Sequence, residues 1–89
     1  MAGINEELWN LPTDVNFKVM GRSQHPLTDI VIEIIKKHAP DFDETRISVK
    51  SSRNGKFDSV TAIAWITHKD QVDNIYREFS ERQEISCTL

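Results

Sequence analysis

The sequence predicts an α+β chain ordered strand, helix, strand, strand, helix, strand, and three observations carry that reading. Val15, Phe17 and Val19 alternate with Asn16, Lys18 and Met20, the period-two pattern of a strand with one face on a core. Leu27, Ile30, Val31, Ile34 and Ile35 recur at helical steps, as Val72, Ile75, Tyr76 and Phe79 do later. Asn54-Gly55 lies between two further alternating runs, which is the short-range signal of a hairpin.

Taken in order, residues 1–13 read as an N-terminal arm and residues 14–89 as a single domain. Ile4, Leu8, Trp9 and Leu11 give the arm an apolar side, Asn5 is placed to cap a short turn, and Pro12 closes the segment. Trp9 is then either packed on the body or free to meet a partner. Strand one ends at Gly21, and the polar residues Arg22, Ser23, Gln24 and His25 lead to Pro26 at a helix start, where its missing N–H costs nothing. Asp29 near that start and Lys36 and Lys37 near the end suit the helix dipole, and Pro40 stops the helix. Ile32 falls off the stripe.

Asp41-Phe42-Asp43-Glu44 reads as a solvated loop pinned by Phe42, because the further oxygen ligands and the glycine of a calcium loop are missing. Strand two follows over residues 46–52. A type I′ turn at Asn54-Gly55, with Arg53 facing Lys56, sets Val49 opposite Val60, Ile47 opposite Ala62, Ser48 opposite Thr61 and Lys50 opposite Ser59. Val60, Ala62, Ala64 and Ile66 then face inward, while Thr61, Ile63 and Trp65 face away. Thr67 is expected to cap helix two with Asp70 three residues on. Ile85, Cys87 and Leu89 alternate in a last strand, which predicts Cys87 as a small core residue.

The bulk numbers bound the function. With 89 residues the chain can close one core without disulfides or metal. A net charge of −3 argues against non-specific binding to nucleic acid or to anionic membranes. One cysteine cannot form an internal disulfide, and no long apolar run appears, so a cytoplasmic setting is expected with no membrane association and no cofactor.

Two crossovers joined by a hairpin are most simply satisfied by the ferredoxin-like βαββαβ sandwich: a four-stranded antiparallel sheet of order 4-1-3-2 with both helices on one face. The run at residues 11–21 (Leu-Pro-Thr-Asp-Val-Asn-Phe-Lys-Val-Met-Gly), His-Ala-Pro at 38–40, Phe-Asp-Ser-Val at 57–60 and Thr67-His68 resemble the small bacterial YbeD-like proteins of unknown function. That resemblance spans nearly the whole chain. It implies a ferredoxin-like fold similar to the ACT regulatory domains of amino-acid enzymes, hence a regulatory, non-catalytic role, and it supplies no catalytic residues.

Two sites are expected. Taking strands one and three as parallel neighbours brings both helix starts together, so that Gly21, Arg22, Ser23, His25, Thr67 and His68, with Lys69 beside them, would hold a small anion such as an amino-acid carboxylate or a phosphate. The ACT resemblance implies a ligand at the same end of strand one. The alternative is a partner-binding face formed by Lys18, Met20, Ile63 and Trp65, on which a second copy or another protein would dock, unless Trp9 and the N-terminal arm fold across this face and cover it. An enzyme is not expected. Arg22 holds the place of the acylphosphatase arginine, but that family's phosphate loop is absent, and the three histidines show no metal-ligand spacing. Among aromatic residues only Trp65 fits a place to stack an RNA base, and the basic-glycine-aromatic run of RNA-recognition domains is missing.

Overall fold

The computed structural model describes residues 11–88. Its elements are β1 (Thr13–Arg22), α1 (Leu27–His38), β2 (Ile47–Ser51), β3 (Phe57–Ile66), α2 (Lys69–Glu81) and β4 (Ile85–Thr88). The four strands form one sheet in the order β2-β3-β1-β4, every neighbouring pair antiparallel. This is the ferredoxin-like sandwich. Trp9 and the rest of residues 1–10 lie outside the described residues, whereas Leu11 packs against the core and Thr13 already belongs to β1.

The core explains why the strands alternate. Val15, Phe17 and Val19 of β1 and Val60, Ala62, Ala64 and Ile66 of β3 are buried on one sheet face, where the helical stripes Leu27, Ile30, Val31, Ile34, Ile35 and Val72, Ile75, Phe79 meet them. Phe17 lies at the centre, its ring centroid 5.4 Å from Tyr76 and 6.3 Å from the edge-on Phe79. Ile32, off the main stripe, is partly buried against the same cluster, and Phe42 is buried under the loop it was expected to pin.

The hairpin keeps the expected register by a different turn. Ile47 opposes Ala62, Ser48 opposes Thr61, Val49 opposes Val60 and Lys50 opposes Ser59. In the turn Gly55 has positive φ, at +72°, and Asn54 does not, so the turn is not type I′. Instead Gly55 N–H donates to Ser52 C=O at 3.0 Å and Ser52 N–H donates to Phe57 C=O at 2.7 Å, closing a longer loop. The Asn54 side chain accepts from Lys56 N–H at 3.1 Å, which does locally what a second positive φ would have done.

Several expectations are corrected by sheet geometry. Strand one does not end at Gly21 but continues to Arg22, with Gly21 buried and paired to Asp58. Val49 keeps its register yet is 48% exposed, because β2 is an edge strand that the helices do not reach. Cys87 is exposed, not in the core. Its strand pairs Met20 with Cys87 but Gly21 with Ile85, leaving Ser86 as an extra residue. One inserted residue moves everything beyond it to the other sheet face. Ile85 therefore enters the core while Cys87 joins Met20 on the opposite face.

Helix α2 is capped differently as well. Its N-cap is His68, and the side chain three residues on that folds back belongs to Gln71, not to Asp70. Gln71 Oε1 accepts from the N–H groups of Thr67 and His68, both at 2.9 Å, while its Nε2 donates to the C=O of His38 at 2.8 Å. One amide thus joins the end of α1 to the start of α2. Beside it, Lys37 and His38 both contact the Glu78 carboxylate. Among the described residues no helix is long and apolar enough to cross a membrane.

Candidate functional site

The anion site expected at paired helix starts is not assembled. Strands β1 and β3 are antiparallel, with Thr13 opposite Ile66 and Arg22 opposite Phe57, so the two loops sit at opposite ends of the sheet. Strands of ten residues separate Gly21, Arg22, Ser23 and His25 from Thr67 and His68 by roughly 30 Å. The direction follows from the topology: a crossover restores the strand direction, and the hairpin then reverses it.

The individual residues are engaged within the fold. A Cβ on Gly21 would collide with the main-chain oxygen of Glu84 and lie 2.9 Å from Leu27 Cδ2, so the space beside this glycine is filled by the chain itself. The Arg22 guanidinium stacks 5.7 Å from the Phe57 ring centroid. Ser23 Oγ donates to Asp58 at 3.0 Å, and His25 N–H donates to Arg22 C=O at 3.1 Å. The Thr67 hydroxyl lies 2.9 Å from His68 Nδ1 and 3.1 Å from Gln71 Oε1. Gln71 already takes the N–H groups of Thr67 and of the N-cap His68.

The acidic loop is also satisfied internally. Asp43 accepts from the Thr45 hydroxyl at 2.7 Å and from Thr45 N–H at 2.9 Å, which holds its carboxyl below the usual range. Glu44 pairs with Lys36. Among the described residues no group of three or more His, Cys, Asp or Glu side chains is placed to hold a metal ion.

The face that does assemble is the side of the sheet away from the helices. Register places Asp14, Asn16, Lys18, Met20 and Arg22 of β1 on it, beside Phe57, Ser59, Thr61, Ile63 and Trp65 of β3 and Ser48 and Lys50 of β2. Cys87 of β4 joins them through its pairing with Met20. Lys18, Met20, Ile63 and Trp65, the residues expected to bind a partner, therefore share one surface. Trp65 is 54% exposed on a central strand. Phe57 and Asn16 complete this surface.

Sequence reasoning missed the ion pair that crosses the face. Arg46 reaches over β3 to Asp14, with Nη1 to Oδ1 at 2.9 Å and Nη2 to Oδ2 at 3.0 Å. Asp14 opposes Trp65, and Arg46 C=O accepts from Ile63 N–H at 3.0 Å, so the pair lies level with the two apolar residues. The guanidinium holds the Asp14 carboxyl below the ordinary aspartate range. Parity could have placed both residues on this face, but their contact depends on the antiparallel order. Lys18, Met20, Lys50, Phe57 and Ser59 line a shallow depression of about 360 Å³ toward the other end.

An antiparallel ferredoxin-like sandwich, with one sheet face that no described element covers, defines a class of small α+β domains. Within it, the chain belongs to the DUF493 family of proteins of unknown function, whose family model matches residues 6–89. A UPF0250 protein of Nitrosomonas europaea is 38% identical over 84 residues, covering 94% of this chain and 97% of that one. A UPF0250 protein of Enterobacter sp. (strain 638) is 40% identical over 84 residues, covering 93% of each. These matches agree with the YbeD-like resemblance read from the sequence. The solution structure of protein HP0495 from H. pylori superposes with a TM-score of 0.73 over 100% of this chain and 98% of that one, at 16% identity. At that identity the likeness shows the fold alone.

Proposed function

We propose that this protein is a non-catalytic interaction module that docks another protein on the open face of its sheet, through Trp65 and Ile63. The observation that carries this reading is Trp65: a large aromatic, 54% exposed, on a central strand where no described element covers it. Tryptophan presents a large contact area at low entropic cost and is enriched among the residues that dominate interfaces. A bidentate Arg46–Asp14 pair beside it fixes two side chains that would otherwise need ordering on binding.

A small-anion sensor receives less support, because its two halves are at opposite ends of the sheet. A face-to-face homodimer is also disfavoured. It would set Lys18, Arg22, Arg46 and Lys50 of one copy against a face of the same charge, where Asp14 is the one strand carboxylate among the described residues. The exposed single thiol, Cys87, fits a reducing compartment such as the cytoplasm.

Photo-cross-linking tests the reading. A benzophenone side chain at Ile63 should trap a protein partner that the same group at exposed Glu33 on α1 does not. Equal trapping at both positions, or adducts with this chain alone, would overturn it.

A further inference from the structure

The chain is acidic overall, at −3, yet its open sheet face is basic. Lys18, Arg22, Arg46 and Lys50 lie there; among the described strand residues the one carboxylate on that face is Asp14, which Arg46 already neutralises, while Asp43 near Arg46 is held by Thr45. Asp58, the other acid on the strands, pairs in register with Gly21 on the helix side, where it accepts from Ser23 and Ser51. The remaining described acids are on the helices and loops. Among the described residues Lys18 and Lys50 have no ion-pair partner, and both are exposed around the depression that contains Met20 and Phe57. Apolar and basic parts of the face are also separated: Lys18 is four residues along β1 from Asp14, the neighbour of Trp65, which is about 13 Å.

Resting on the docking surface proposed above, we infer that its occupant is an acidic segment of a partner protein. An apolar side chain of that segment sits on Trp65 and Ile63, and its carboxylates reach Lys18 and Lys50. The charge complementarity sets the orientation, since reversing the segment would bring its acids to the already neutral Asp14–Arg46 pair and leave both lysines unpaired.

RNA is the rival polyanion, and the aromatic spacing disfavours it. Trp65 and Phe57 are eight residues apart on β3, roughly 27 Å, too far for consecutive bases to stack on both. Arg22 already covers Phe57.

Amide chemical shifts of the full chain, titrated with three probes, test the inference: a synthetic Glu-rich peptide with Leu at helical spacing, its Lys-rich counterpart, and a single-stranded RNA oligomer. The Glu-rich peptide should shift the amides of Lys18, Lys50, Ser59 and Trp65. Its binding should weaken by at least about tenfold in the double variant Lys18→Glu/Lys50→Glu or on raising NaCl from ~0.05 M to ~0.5 M. The neutral pair Lys18→Gln/Lys50→Gln, with an unchanged melting temperature, should show a smaller loss. Preference for the Lys-rich peptide or the RNA, or shifts confined to the helices, would overturn the inference. For the partner trapped from Ile63, loss of binding in Trp65→Ala with none in the charge reversal would overturn the acidic occupant and leave the docking surface standing. Loss in neither variant would overturn both.

Discussion

Gly21 packs directly against the main-chain oxygen of Glu84, closer than any side chain at position 21 would allow, with Leu27 closing the other side. The contact sits where β4 adds its extra residue and pairs with β1. Missing bulk at Gly21 is thus what lets the last strand and the start of α1 approach the sheet centre.

Gly21→Ala is therefore expected to destabilise the fold by about 1–3 kcal/mol, since a backbone oxygen yields less readily than a side chain. Gly55→Ala has open space around its Cβ and loses only the positive φ of +72°, a cost of about 1 kcal/mol. Urea unfolding of both variants checks the order; a smaller loss at Gly21 than at Gly55 would contradict the packing.

Gln71→Ala removes the bonds to Thr67 and His68 and the one to His38 that ties the helices together. A loss of about 1–2 kcal/mol is expected. Asp70→Ala should cost less, because Gln71, not Asp70, closes the cap. Equal losses by chemical denaturation would return the cap to Asp70.

The carboxyls of Glu78 and Asp14 titrate below their ordinary ranges, Glu78 because of His38 and then Lys37, Asp14 because of Arg46. A carboxyl with a depressed folded-state pKa binds its proton more weakly folded than unfolded. Its stabilising contribution is present above the unfolded values, about 4.3 for Glu and 3.9 for Asp. It is lost as pH falls through the lowered values. Glu78→Gln and Asp14→Asn should each flatten the acid limb of stability against pH, and a limb as steep as wild type in both variants would contradict the assignment.

The two faces of the sheet predict opposite responses to truncation. Phe17→Ala, at the centre of the aromatic cluster, should cost about 3–5 kcal/mol. Trp65→Ala, exposed, should change stability by no more than about 0.5 kcal/mol. Comparable losses in thermal melts would place Trp65 in a packed environment.

What the sequence disclosed was parity and local turns. Val60, Ala62, Ala64 and Ile66 alternate cleanly, so their face and the register against β2 were legible, even though Asn54-Gly55 closes the loop by another geometry. The fate of Cys87 was not, because nothing in Ile85-Ser86-Cys87 marks a bulge, and one extra residue inverts the face. Val49 failed for a different reason: alternation reports which way a side chain points, not whether a helix reaches it at a sheet edge. The misplaced anion site came from strand direction. Counting one crossover and one hairpin makes β3 antiparallel to β1, which separates the helix starts and leaves the Lys18, Met20, Ile63 and Trp65 face as the surface that assembles.

The most direct measurement is the affinity of the wild-type chain and of Trp65→Ala for the partner cross-linked from Ile63, by calorimetry on the purified pair. Binding should weaken at least about tenfold in Trp65→Ala while its melting temperature stays at the wild-type value. Equal affinity in a folded Trp65→Ala would contradict docking on the open sheet face.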